Sequence, residues 1–155
     1  EAVLSFREIH GDTSVENYRG KFLTTGCSMG AYHALNFFLR RPDIFDGVIA
    51  MSGLYHAGYF FPHYNHEVIY NNSPVDYMKN MPWNHYYLNM YRNSKIILCC
   101  GQGRWEKECI EDTNSLKESF KRLQVPVWTD FWGYDVNHDW DWWRQQLPYF
   151  LGHIL

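Results

Sequence analysis

Apolar positions follow two spacings along this chain. Short runs that are almost continuously apolar are typical of strands in a parallel sheet, where both faces are covered. The predicted strands are residues 21–25, 47–51, 95–100 and 126–132. Apolar residues at helical spacing predict helices at 29–40, 107–123 and 141–155, with the end of another at 1–10. Because strands and helices alternate, we expect an α/β fold with a parallel sheet and helices on both of its faces.

Between residues 54 and 92 this pattern breaks down into a long stretch rich in Tyr, His, Asn and Pro. A loop of that length in a compact domain is usually a functional cap. We therefore predict one domain over residues 1–155 with a lid-like insertion at about 54–92, containing short helical turns near 74–78 and 83–90. Its aromatic side chains either shape a pocket or form core beneath the loop. They are Tyr55, Tyr59, Phe60, Phe61, Tyr64 and Tyr70.

Composition excludes several classes of partner. The formal net charge of −3 gives no basic surface for phosphates, so nucleic acid is not an expected partner. No apolar run approaches the ~20 residues of a membrane span and no signal-like stretch opens the chain, so we expect a cytoplasmic protein without a membrane partner. The histidines lack H-x-x-x-H pairing, which predicts no metal site. The cysteines lack C-x-x-C spacing and are expected to be small buried apolar residues in a reducing compartment. They are Cys27, Cys99, Cys100 and Cys109.

The segment from Gly26 to Gly30 reads G-x-S-x-G and lies between a predicted strand and a predicted helix. This is the context in which the pattern forms a nucleophile elbow. A serine in such a tight, strained turn needs small neighbours, so we expect both glycines to let the helix pack against the end of the strand. Ser28 is then the candidate nucleophile. The N–H of Met29, the first free donor of the helix, is the candidate oxyanion donor.

An acid and a base are expected where the later strands end, because reactive groups of an open parallel sheet gather beyond its carboxyl ends. Glu106 follows the third predicted strand and His138 follows the fourth, which gives the chain order serine, acid, histidine. His138 would take the proton of Ser28 while a carboxylate orients its ring. Other acids compete with Glu106 for that role, namely Glu108, Glu111 and Asp112. The candidate pocket residues are Cys27, Tyr55, Trp105 and Trp140.

Several motifs together resemble the putative-esterase family of α/β-hydrolases, which includes esterase D-like enzymes, feruloyl and acetyl-xylan esterases and mycolyltransferases. They are Gly-Cys-Ser-Met-Gly-Ala at 26–31, Arg-Pro-Asp-x-Phe-Asp at 41–46, Ser-Gly at 52–53, and H-x-W-x-x-W from His138 to Trp143. The resemblance covers residues 20–155 and implies Glu106 as the acid, with no organic cofactor. The family usually has Gly before the histidine, whereas this chain has Asn137, a departure that could change the loop turn.

The resemblance also implies that the chain is the carboxyl-terminal portion of the family's fold. We therefore expect that the second oxyanion donor, which normally comes from a loop after an earlier strand, is not supplied by the few residues before Lys21. The strand at 21–25 would become an edge, where another copy could pair to form a homodimer. The leading functional hypothesis is a serine carboxylic-ester hydrolase acting on a small-molecule ester. Acyl transfer and a non-catalytic module that dimerises or binds a partner are the alternatives.

Overall fold

A single parallel sheet organises the chain in the computed structural model, which describes residues 22–61 and 66–154. The strands lie in the order β1-β2-β3-β4, and every neighbouring pair is parallel. They are β1 (Phe22–Cys27), β2 (Phe45–Met51), β3 (Lys95–Cys100) and β4 (Trp128–Phe131). The predicted α/β fold is confirmed, and each predicted strand overlaps an observed one.

The long helices follow the sequence prediction closely. The first begins directly after Ser28 and ends at Arg40, before the Arg41-Pro42 pair that disfavours helical geometry. The helices are α1 (Met29–Arg40), α2 (Glu67–Tyr70), α3 (Pro74–Asn80), α4 (Leu88–Arg92), α5 (Lys107–Arg122) and α6 (Trp140–Ile154), with a 3-10 turn at Ala57–Tyr59. The helix end predicted at residues 1–10 lies outside the described residues.

Helices cover the two faces of the sheet unequally. Val48 and Ala50 of β2 pack with α1, α3, α4 and α5 in one core cluster. Ile49 and Met51, which point the other way along the same strand, pack with Trp143 and Phe150 of α6 in the second. The strand order advances in one direction, so right-handed crossovers place all connecting helices on the same face. Among the described residues, α6 alone follows the last strand, and it covers the opposite face.

Part of the predicted lid packs into the core, although most of its described residues are half-buried or exposed, and its role as a lid stays a prediction. Met78, Leu88 and Tyr91 are at most 1% exposed and belong to the first core cluster. Tyr55, a candidate pocket residue, is fully buried in that same cluster, so packing rather than substrate contact accounts for its side chain. The other aromatic residues predicted to line the lid are dispersed: Tyr59 and Tyr70 line different cavities, Phe60 packs edge-on against Tyr32, Phe61 is half exposed, and Tyr64 is outside the described residues.

All four cysteines are free thiols. Cys99, Cys100 and Cys109 are buried, and burial raises the pKa of Cys100 to about 12, so this thiol is protonated and behaves as a small apolar group. Within the described part of the chain, none of the helices combines the length and apolar character needed to cross a bilayer.

Candidate active site

The turn after β1 holds Ser28 in a strained backbone conformation. Its φ of 55° lies in the left-handed region, which residues other than glycine rarely adopt. The turn is fixed on both sides, since the N–H of Ser28 donates to the carbonyl of Met51 at 2.9 Å and its carbonyl accepts from Ala31 and Tyr32 at 3.0 and 3.2 Å. The strand, turn and helix expected of a nucleophile elbow are therefore present at this serine.

The two glycines of the motif have different roles. A Cβ on Gly26 would lie 2.3 Å from the carbonyl carbon and oxygen of Gly30, so only glycine lets the helix start this close to the strand. A Cβ on Gly30 would meet nothing within 4 Å. The expectation that both glycines are required for packing is therefore wrong for Gly30, whose backbone, and not its missing side chain, forms the close contact.

The amino end of α1 carries free hydrogen-bond donors. The N–H groups of Ala31 and Tyr32 are used by the carbonyl of Ser28. Because the first amides of a helix have no acceptor within it, the N–H groups of Met29 and Gly30 remain available beside Ser28. The positive end of the helix dipole adds to their attraction for a negatively charged oxygen.

The three residues predicted to act together lie together at the carboxyl edge of the sheet. Nε2 of His138 is 2.8 Å from Oγ of Ser28, a normal hydrogen-bond distance. Nδ1, on the other side of the ring, is 3.6 Å from Oε1 of Glu106, which is within ion-pair range but longer than a hydrogen bond. Glu106 is fully buried, whereas the His138 side chain is 18% exposed. The ring of His138 thus bridges a hydroxyl that substrate could reach and a carboxylate shielded from water.

The competing acids face elsewhere. Asp112 accepts hydrogen bonds from the backbone N–H groups of Tyr55 and His56 at 2.6 and 2.9 Å, which ties down the start of the insertion. Burial raises the pKa of Asp112, and these two hydrogen bonds oppose that shift. Oε1 of Glu111 lies 3.9 Å from Nζ of Lys107, and Glu108 is exposed on α5. Among these acids, Glu106 is the one placed against His138.

Backbone hydrogen bonds join the loop that carries Glu106 to the loop that carries His138. The N–H of His138 donates to the carbonyl of Arg104 at 3.1 Å, and the N–H of Arg104 donates to Oδ1 of Asn137 at 2.7 Å. The loops approach so closely that a Cβ on Gly101 would lie 2.0 Å from the carbonyl oxygen of Val136. Asn137, which departs from the family pattern, therefore supplies a link between the loops that glycine could not provide.

Two buried side chains at the site were not assigned from the sequence. Oγ of Ser52 donates to Oε1 of Glu106 at 2.6 Å, and the indole N–H of Trp143 donates to the same Oγ at 3.0 Å. The Trp143 ring also packs edge-on against His138, with 4.9 Å between ring centroids. Both residues belong to the motifs that carry the family resemblance, and a serine directly after a buried strand was the signal that could have pointed to Ser52.

A third neighbour, Cys109, raises the question of a metal. Its Sγ is 3.8 Å from Nδ1 of His138, and one ligand atom from each of Glu106, Cys109 and His138 lies within 4.8 Å of the others. Burial raises the pKa of the Cys109 thiol well above its usual range, which opposes the thiolate that a metal would need. The cluster is therefore better suited to an acid and a base at ion-pair distance, and the absence of a metal site stays a prediction.

The remaining pocket candidates differ in exposure. The side chains of Trp105 and Trp140 are 72% and 57% exposed and flank the residues that carry the acid and the base in the sequence. The guanidinium of Arg104 lies 5.6 Å from the centroid of the Trp105 ring. Cys27 is only partly buried and packs against the second core cluster, next to Ser28 in the turn. Exposed indoles are suited to stacking on a planar group.

The parallel sheet, with its strand–turn–helix elbow, defines an α/β-hydrolase fold. The chain belongs to the family described as "Putative esterase", whose family model matches residues 12–154. A comparison with curated protein sequences finds no match.

Solved structures with the same fold include hydrolases and an acyltransferase. A ferulic acid esterase has a TM-score of 0.61 and 24% identity, over 79% of this chain and 46% of that protein. S-formylglutathione hydrolase (FrmB) from Staphylococcus aureus has a TM-score of 0.57 and 19% identity, over 81% and 47%. The capsule O-acetyltransferase of Neisseria meningitidis serogroup A has a TM-score of 0.55 and 18% identity, over 96% and 62%. The chain thus matches about half the length of the first two proteins, and identities this low establish the fold alone.

Proposed function

We propose that this chain carries the catalytic residues of a serine carboxylic-ester hydrolase, with Ser28 as nucleophile, His138 as base and Glu106 as the acid that orients the base. One observation carries the proposal: Ser28 Oγ and His138 Nε2 are 2.8 Å apart although 110 residues separate them in sequence. The buried Glu106 carboxylate on the far side of the ring favours the imidazolium that forms when His138 accepts a proton.

The reaction proceeds in two halves. Oγ of Ser28 attacks the carbonyl carbon of the ester as its proton passes to Nε2 of His138, and the oxyanion that forms accepts a hydrogen bond from the N–H of Met29. The bond to the alcohol then breaks, and His138 returns the proton to the leaving oxygen. Water attacks the acyl-serine in the second half, with His138 again accepting and then returning a proton, so that the carboxylic acid and free Ser28 are released.

Met29 is the one oxyanion donor that we assign among the described residues. Removal of a single donor typically costs about 10²–10³ in turnover. With Met29 as the one assigned donor, we expect this chain to hydrolyse activated esters slowly. A homodimer through β1 remains a prediction.

The proposed substrate is a small ester with an apolar or planar group. Support comes from two exposed indoles, Trp105 and Trp140, which lie next to Glu106 and His138 in the sequence and could stack on a planar group. One protein of similar fold is described as a ferulic acid esterase, an enzyme named for an aromatic acid.

Hydrolysis of p-nitrophenyl acetate tests the proposal. We expect Ser28→Ala and His138→Ala to lose at least about 10³-fold in kcat/KM while their circular dichroism matches that of the wild type. The matched control is Ser115→Ala, which removes a hydroxyl that is exposed on α5 and hydrogen-bonded only to its own helix, and it should leave kcat/KM unchanged. A folded wild-type protein without activity above that of Ser28→Ala would refute the enzyme and favour the non-catalytic binding module.

Acyl transfer is the second candidate, because a capsule O-acetyltransferase shares the fold over 96% of this chain. It differs from hydrolysis only in the acceptor of the acyl group, an alcohol instead of water. The two are separated by adding a polyol such as glycerol to the p-nitrophenyl acetate assay and measuring acetate and acetyl-glycerol by mass spectrometry. Acetyl-glycerol formed in proportion to glycerol, at the expense of acetate, would identify a transferase.

A further inference from the structure

A chain of hydrogen bonds lies behind the proposed acid. Trp143 donates its indole N–H to Oγ of Ser52 at 3.0 Å, and Ser52 donates its hydroxyl to Oε1 of Glu106 at 2.6 Å. Ser52 and Glu106 are fully buried and Trp143 is 7% exposed, so water competes weakly for these bonds. Oε1 is also the carboxylate oxygen that lies 3.6 Å from Nδ1 of His138.

The chemistry of the three groups fixes the direction of these bonds. An indole nitrogen can only donate, and an ionised carboxylate can only accept. Because a carboxylate accepts, the hydroxyl proton of Ser52 is directed to Glu106, while the indole N–H of Trp143 donates to a lone pair of the same oxygen. A hydrogen bond from a hydroxyl to a carboxylate is charge-assisted and among the stronger ones in proteins. It therefore holds Oε1 in one position.

The backbone of Ser52 indicates that its side chain is needed. Its φ of 54° lies in the left-handed region, where glycine would be unstrained. Ser28, Trp105 and Gln124, with φ of 55°, 63° and 55°, share this conformation. Ser28 and Ser52 directly follow β1 and β2 and Trp105 directly precedes Glu106, whereas Gln124 follows α5, away from these residues. Because glycine would avoid this backbone strain, a buried serine in the position indicates that the hydroxyl has a role.

We infer that Ser52 is a positioning residue which, with Trp143 as its donor, holds the Glu106 carboxylate towards His138. The inference rests on the proposed function, since it takes Glu106 as the acid. Ser52 acts through Glu106 and not on the reacting atoms. Trp143 has a second part in the arrangement, because its ring also packs edge-on against His138 and limits rotation of the imidazole.

Ser52→Gly is the decisive variant, because it removes the hydroxyl while suiting the backbone at φ 54°. We expect the variant to fold, because relief of the backbone strain offsets part of the loss of the two buried hydrogen bonds of Ser52. Its kcat for p-nitrophenyl acetate should fall about 10-fold to 100-fold with KM unchanged, the size of effect seen when a group that orients a site residue is removed. Trp143→Phe, which keeps a ring but lacks the N–H, should give a smaller fall in kcat.

A double-mutant cycle separates positioning from a general structural effect. In a Glu106→Gln background, Ser52→Gly should cause no further loss of kcat, because the residue through which it acts is already changed. Full additivity of the two losses would overturn the inference, as would a Ser52→Gly variant with the kcat of the wild type.

NMR of the His138 ring tests the inference without turnover, so this measurement is independent of the proposed function. The imidazole Nδ1–H of His138, if held towards Glu106, should give a slowly exchanging downfield signal in nitrogen-edited NMR of the wild type and of Ser28→Ala. We expect Ser52→Gly to lose or shift that signal. An unchanged signal would refute the role of Ser52 even if the protein hydrolysed esters well. If the wild type hydrolyses no ester, the proposed function fails, and the NMR comparison still decides whether Ser52 positions Glu106.

Discussion

The G-x-S-x-G motif includes two glycines, but the structure predicts that only one of them is needed for stability and activity. Gly26→Ala should damage the protein, whereas Gly30→Ala should not. In Gly26→Ala, the new methyl group would lie 2.3 Å from the carbonyl carbon and oxygen of Gly30 and 2.9 Å from the N of Ala31. All of these atoms are backbone, so no side chain can rotate away. Ordinary contact begins at 3.4 Å, and α1 would have to move by about 1 Å relative to β1.

That displacement acts directly on the site. Ser28 joins the two elements, and a shift of about 1 Å would stretch its 2.8 Å hydrogen bond to His138 beyond hydrogen-bonding range. Misplacement of a reacting group by this distance costs about 10²-fold in rate. Overpacking at a rigid site also destabilises the fold by about 1–3 kcal/mol. For a domain of this size, the thermal midpoint should fall by several degrees, at roughly 2–4 °C per kcal/mol.

Gly30→Ala is the matched control. Its methyl group would meet nothing within 4 Å, and alanine is favoured over glycine in a helix by about 1 kcal/mol. We expect an unchanged or higher thermal midpoint and retained ester hydrolysis. Calorimetry and the p-nitrophenyl acetate assay on both variants measure the contrast. Equal damage from the two changes, or a Gly26→Ala variant that matches the wild type in both assays, would refute this account of the elbow.

Three further perturbations test other parts of the structure. Asn137→Gly removes the acceptor of the Arg104 N–H and should lower kcat for p-nitrophenyl acetate about tenfold. Asn137→Asp keeps an acceptor and should retain most of the wild-type kcat. Equal kcat values for the two variants would contradict the link between the loops. Phe120→Ala, at a fully buried position, should cost about 3–5 kcal/mol in urea unfolding, and a loss below 1 kcal/mol would contradict its place in the core. Burial raises the pKa of Asp112 in the folded state above its ordinary value of 3.8, so the folded protein binds this proton more tightly than the unfolded chain. The resulting stabilisation is present below pH 3.8 and is lost as the pH rises through the folded-state pKa. The stability of Asp112→Asn relative to the wild type should therefore increase over that pH range, and a constant difference in urea titrations would contradict the shift.

The sequence was most informative where one local pattern decides the structure. α1 was predicted with both of its ends, because the elbow fixes its start and the Arg41-Pro42 pair fixes its end. The rule that reactive groups gather at the carboxyl ends of parallel strands pointed to the loops that carry Glu106 and His138, and the family resemblance singled out Glu106 among the competing acids; the fold brings both close to Ser28.

Strand limits were predicted less well, because they depend on neighbouring strands. β1 continues past residue 25 to Cys27, since Gly26 and Cys27 pair with Ala50 and Met51 of β2. β4 begins only at Trp128 and not at 126, where a proline has no N–H to donate to a neighbouring strand.

Features that depend on tertiary contacts were missed. The helices within residues 54–92 are too short for a clear apolar period, so their burial against α1 and α5 could not be seen in the sequence. The hydrogen bonds from Trp143 to Ser52 and from Ser52 to Glu106 join three distant segments of the chain. No local pattern encodes such a set of contacts.

Labelling with a fluorophosphonate, followed by mass spectrometry of the peptides, tests most directly whether Ser28 is activated by His138. The account predicts a single adduct, located on Ser28 and absent from Ser28→Ala, and a labelling rate at least about 10²-fold lower in folded His138→Gln. An adduct at another residue, or a His138→Gln protein labelled as fast as the wild type, would contradict it.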